Sequence, residues 1–164
     1  MSAYFNALVQ DPVSAIVVVS QTKLVALSSD EMMNTYAMSG YNYSGGGRLI
    51  PQWEERGSGI QPRASTLVDG RYIFVGARAN PTIDMWDLVS KNIIRQFPLV
   101  NTPGWTVCSV VGRYVVGGDG SSIGVWERDT GKRLKSYQTQ TPWVNGVVVH
   151  PQREGELVSY SSNG

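Results

Sequence analysis

Gly70-Arg71-Tyr72-Ile73-Phe74-Val75-Gly76 recurs about 40 residues later as Gly112-Arg113-Tyr114-Val115-Val116-Gly117-Gly118. Each copy leads into a tryptophan segment, Ile83-Asp84-Met85-Trp86-Asp87 and then Ile123-Gly124-Val125-Trp126-Glu127, again about 40 residues apart. A third copy begins at Trp143, and the sequence reaches Gly164 before its own tryptophan segment. A repeat of this length is one supersecondary unit that cannot bury its apolar face alone. Neighbouring copies must therefore stack, and each must present two faces that fit.

Turn residues between β-branched runs predict four short strands, a to d, in each unit. The first unit reads Val13 to Ser20, Lys23 to Ser28, Met32 to Met38 and Arg48 to Glu54, with Asp30 in a turn and Gly45-Gly46-Gly47 as a linker. The second reads Arg63 to Val68, Arg71 to Ala77, Thr82 to Asp87 and Ile93 to Leu99. Trp105 to Val111, Tyr114 to Gly118, Ser122 to Arg128 and Arg133 to Gln138 form the third. Trp143 to His150 and Glu156 to Ser161 begin a fourth, and Tyr4 to Val9 reads as an outer strand of a preceding unit. No window carries helical periodicity. The expected units span roughly 10–55, 63–100, 105–139 and 143–164, the last incomplete.

The gross composition restrains the function classes. A hydrophobic fraction of 41% with 18 glycines suits an all-β chain dense in turns, and a net charge of +1 argues neither for nor against a nucleic-acid partner. A single cysteine, Cys108, makes no internal disulfide and reads as a small buried residue in a reducing compartment. The opening residues lack a basic segment before an apolar core, and the longest apolar run, Ala15 to Val19, is too short to span a bilayer. Neither a secretory leader nor a membrane partner is expected.

Catalytic and metal chemistry need clustered partners. His150 is the only histidine, and no Cys/His spacing or Gly-x-Ser-x-Gly accompanies it. Gly117-Gly118-Asp119-Gly120 looks like a phosphate loop but lacks the following helix and Lys-Ser/Thr pair, so a turn wanting positive φ explains it. The chain reads as a non-enzyme without cofactor or metal. Trp86 and Trp126 fall on strand c, where an indole packs between units, and read as structural. Trp105 follows Thr102-Pro103-Gly104 and Trp143 follows Thr141-Pro142, each in a d–a connection. They are either partner-binding aromatics or plugs for their own units. Arg78, in the b–c turn of the second unit, and Arg63, at the start of its first strand, complete the candidate partner or RNA contacts.

The Trp-Asp period resembles that of WD40 repeats, which implies a β-propeller; about three and a half blades are accounted for, against about 4–8 in a closed ring. Gly76-Ala77-Arg78 followed by Ile83-Asp84-Met85-Trp86-Asp87-Leu88 resembles the "GAR…WDLR" blade of the telomerase Cajal body protein family, with Val89 where that family has arginine. Trp143-Val144-Asn145-Gly146-Val147-Val148-Val149-His150-Pro151 is similar to its "NGVSxHP" strand, and Glu156 to Ser162 falls where it has "LLATxSGQR". The likeness covers residues 63–164. It implies a nuclear, non-catalytic scaffold that binds small Cajal-body or telomerase RNA and ribonucleoprotein partners. A generic WD40 protein–protein adaptor, nuclear or cytoplasmic, is the alternative. Either way a protein partner or further blades are expected to complete the ring.

Overall fold

The computed structural model describes residues 13–30, 32–44, 48–100, 108–140, 144–149, 153 and 156–160. The first sheet is a meander of β1 (Val13–Ser20), β2 (Lys23–Asp30), β3 (Thr35–Ser44) and β4 (Arg48–Ser58). The second joins β5 (Ile60–Val68), β6 (Tyr72–Arg78), β7 (Thr82–Asp87) and β8 (Asn92–Pro98), and the third β9 (Cys108–Val111), β10 (Tyr114–Asp119), β11 (Ser122–Glu127) and β12 (Arg133–Gln138). A last pair, β13 (Gly146–Val149) and β14 (Leu157–Tyr160), forms a hairpin. Every pairing is antiparallel, and the described residues hold no helix.

The sheets stack with their first strands side by side: β1 lies against β5, β5 against β9, and β9 against β13. Side chains alternate between the two faces of a strand. Ile73, Val75 and Ala77 of β6 therefore turn to the first sheet, where they meet Val17, Val25, Leu27, Tyr36 and Met38. Phe74, between them in sequence, turns the other way and packs with Ile83, Met85, Phe97, Val115 and Trp126. A third cluster joins Val116 and Ile123 to Val144 and Val147. Being covered on both faces is why β6 reads as an almost unbroken apolar run rather than an alternating one. Each of these large side chains stabilises the fold by about 1.5–3 kcal/mol when fully withdrawn from water.

Two backbone bonds repeat from sheet to sheet. The residue after each outer strand donates to the residue before the third strand: Gly59 to Asn34 at 2.9 Å, Leu99 to Pro81 at 2.9 Å and Thr139 to Ser121 at 2.9 Å. At the opposite end Leu88 donates to Arg71 at 3.0 Å and Arg128 to Arg113 at 2.7 Å. Glycines at positive φ, Gly70 (62°) and Gly112 (51°), make the turn before each Arg-Tyr pair.

Several predicted boundaries move. Met32 and Met33, expected in the third strand, lie in a turn, because Asp30 accepts the Met33 N–H at 3.2 Å and Asn34 takes φ 53°. That strand runs on through Tyr43 and Ser44 instead, and β4 extends to Ser58. The Gly117-Gly118-Asp119 segment is strand, and only Gly120 (φ 65°) and Ser121 turn. Tyr4 to Val9, Gly45 to Gly47 and His150 lie outside the described residues, as does the side chain of Cys108.

Candidate functional site

The b–c turns and the starts of the d–a connections share one end of the sheets. There the turns of the first two sheets meet at Gly59. Its N–H binds Asn34, and a Cβ at this residue would sit 2.8 Å from the Arg78 carbonyl oxygen and 2.8 Å from Asn80 Cβ. Gly59 has φ 95°, open only to glycine, so the close approach and the conformation make the same demand. Arg78 ends β6 beside this junction with its side chain exposed. Met32 and Met33 are exposed in the neighbouring turn, at 96% and 64%, and Val100 stands exposed after β8. Methionine is soft and adaptable, a favourable lining for a protein-docking surface. Reading Met32 as the start of a strand hid this pair; the signal available was Asp30 followed by Asn34, a turn-forming spacing.

Trp105 and Trp143 lie outside the described residues, so the structure brings Arg78 together with neither. Arg63 belongs to β5 by backbone, opposite Gly76, and its side chain is likewise outside the described set.

Trp86 and Trp126 occupy matching places in β7 and β11, facing Ile73 and Val115 across their ladders. Their surroundings differ. The Trp86 indole N–H donates to the Tyr36 hydroxyl at 2.7 Å, and that hydroxyl donates to Asp84 at 2.8 Å. Asp84, fully buried, also accepts from Asn80 at 3.0 Å, Thr82 at 2.8 Å and Gln96 at 3.0 Å. Desolvation, reinforced by the neighbouring Asp84 charge, pushes the Tyr36 phenol far above its ordinary range, so it stays protonated as the donor this chain needs. At the next interface Gly124 stands two residues before the tryptophan, and Ile83 is second in its strand as Tyr36 is in β3. The Trp126 N–H has no partner among the described residues, and the Arg133 guanidinium lies 5.2 Å from the ring centre. Arg133 is held there by an ion pair of 2.8 Å with buried Asp119.

The other end of the strands carries its own charge pair. Arg71 grips Asp87 through Nε and Nη2, both at 2.8 Å, while Asp87 also accepts the Val89 N–H and the Ser90 hydroxyl. The Arg71 hydrogen bonds outweigh burial and hold the Asp87 carboxyl well below the usual carboxylate range. No group of three His, Cys, Asp or Glu side chains able to hold a metal is present among the described residues.

Neither a protein-family model nor a curated protein matches the sequence. Among solved structures the chain is similar to the computationally designed Ika8 protein, with a TM-score of 0.70 at 18% identity. The match covers 92% of this chain and 43% of that one, so this chain spans less than half the length of Ika8. At that identity the likeness is one of fold, and it identifies the chain as an all-β protein of stacked antiparallel sheets.

Proposed function

We propose that the chain is a sector of a WD40-type β-propeller, about three and a half blades, and works as a non-catalytic docking scaffold. Three meanders whose first strands lie side by side, with the same closing bond in each, support the propeller reading. The observation that carries the docking role is the b–c end, where Met32, Met33 and Val100 are exposed at the end that also carries Arg78. Such a mixture of adaptable apolar side chains and an arginine suits a protein partner.

The resemblance of residues 63–164 to the telomerase Cajal body protein family adds a second contact, with RNA, and a nuclear place of work. Arg78, within the Gly76-Ala77-Arg78 motif, is the residue this reading needs, and its exposure at the b–c end favours it. The purified protein is then expected to carry nucleic acid, visible as a raised 260/280 nm absorbance ratio. Binding of a labelled single-stranded RNA should fall steeply between about 50 and 200 mM salt as phosphate contacts release counterions. Arg78→Ala should flatten that slope by about one charge. Protein free of RNA, with a salt-insensitive signal, leaves the protein-only adaptor as the function.

A further inference from the structure

The end opposite Arg78 holds a groove of about 410 Å³ between the first and second sheets. It falls within the roughly 300–1,000 Å³ of small-ligand sites. Lys23 opens β2 on one wall, and Arg71 and Lys91 stand on the other, at the β5–β6 and β7–β8 turns. No acidic side chain lines it. Arg71 is neutralised by Asp87, whose oxygens are already engaged by four donors. The lysines are different. Ion pairs take up Arg56, Arg71, Arg128, Arg133 and Arg153, but among the described residues neither Lys23 nor Lys91 joins one.

Two cations lining one groove, one from each sheet and neither in an ion pair among the described residues, suit an anion. The rest of the lining asks for something larger than a bare phosphate. Trp53 is half-buried, with its indole laid so close over Gly40 that a Cβ there would collide with the ring. That packing fixes the plane of the indole from one side. Asn42 adds an amide able both to donate and to accept, and Gln52, whose NH2 donates to the Ile50 and Pro51 carbonyls at 3.2 Å, adds an amide oxygen. Gly70, at φ 62°, has nothing within 4 Å of where a Cβ would stand, and it keeps the rim beside Arg71 low.

We infer that this groove binds nucleotide chemistry, a phosphate held between Lys23 and Lys91 with its base against Trp53. The phosphate is held by charge-assisted donors from both sheets. Stacking on an indole tolerates any base, and the amides read its edge. The ligand is either a free mononucleotide or an unpaired nucleotide of a single-stranded RNA, since both present these groups. The site is independent of the RNA contact assigned to Arg78, which lies at the other end of the strands.

Calorimetric titration of the whole chain with 5′-AMP tests this, alongside adenosine, inorganic phosphate and a hexa-adenylate RNA. The expected result is saturable AMP binding that exceeds that of adenosine or phosphate alone. A Lys23→Gln/Lys91→Gln variant should weaken it by about tenfold or more, a Lys23→Arg/Lys91→Arg variant should retain it, and Arg78→Ala should leave it unchanged. Trp53→Leu, if folded by circular dichroism, should bring AMP down to the level of phosphate. In the Arg78→Ala background, hexa-adenylate binding tighter than AMP that is lost with Lys23→Gln/Lys91→Gln assigns the groove to RNA, and equal binding assigns it to free nucleotide. No AMP binding by the folded wild type, or binding untouched by the double Gln variant, overturns the inference. So does an acidic hexapeptide that binds the groove as tightly as AMP.

Discussion

The Tyr36 hydroxyl serves two buried groups at once, accepting from Trp86 and donating to Asp84 across the interface of the first two sheets. Tyr36→Phe keeps the ring and its edge contact with Trp86, whose centroid lies 6.3 Å away, but leaves an indole N–H unpaired in the core. Losing these bonds should cost about 2–4 kcal/mol, read as a lower urea midpoint at an unchanged m-value. The same phenylalanine at an exposed tyrosine such as Tyr137 should change the midpoint little. The tryptophans were legible in the sequence because they recur at a fixed spacing. The tyrosine and the aspartate serving one of them were not. Tyr36 lies in the first sheet, 50 residues from its partner, and the position of Asp84 is glycine in the next repeat. A polar network used at only one interface leaves no periodic trace.

At the scale of the strand and its turn, the Gly-Arg-Tyr and Trp-Asp segments proved readable because each performs a local task. Arg71 stands in the turn just before β6, Asp87 closes β7, and their pairing ties the start of one strand to the end of the next. In the third sheet Glu127 accepts from the Thr130 hydroxyl at 2.7 Å, and the Arg-over-Tyr contact is repeated, Arg113 lying 5.0 Å from the Tyr114 ring centre as Arg71 lies 5.1 Å from that of Tyr72. The first sheet lacks both segments, and there the third strand was misplaced. Apolar residues near a strand do not mark where its turn ends, and Met32 and Met33 lie in the turn. The Arg71–Asp87 pair carries a pH signature. Its folded carboxyl titrates below the unfolded value of about 3.9, so the stabilisation is fully present above that pH and is lost as pH falls toward the folded value. Asp87→Asn should therefore be less stable than wild type at neutral pH. In urea titrations the gap should close as pH falls below about 4. A gap that persists unchanged at lower pH would mean that the asparagine is disfavoured for its shape rather than its charge.

At the scale of the whole molecule the two outermost sheets are unlike the middle ones, because among the described residues each has a neighbour on one face only. In β1, Val17 turns to the core while Ile16 and Val18 turn outward, with Val18 70% exposed. At the other limit Val147 packs inward, whereas Val148 is exposed, as are Val158 (66%) and Tyr160 of β14. These side chains sit on strands of the kind that are covered on both faces in the second sheet, so they form apolar faces matched to a sheet that would lie against them. Contiguous apolar surface of this sort favours association, at about 25 cal/mol for each Å² that a neighbour covers. Among the described residues β14 pairs only with β13, which adds a row of backbone donors and acceptors open to a further strand. The chain should accordingly self-associate in solution, its scattering mass rising with concentration. A Val18→Lys/Val158→Lys variant places one charge on each open face without touching the three core clusters. It should hold the mass of a single chain over the same range, with an unchanged β-sheet circular dichroism spectrum. A wild type that scatters as a monomer at every concentration would mean that these faces are tolerated in water, and that the stacked sheets are complete without a neighbour.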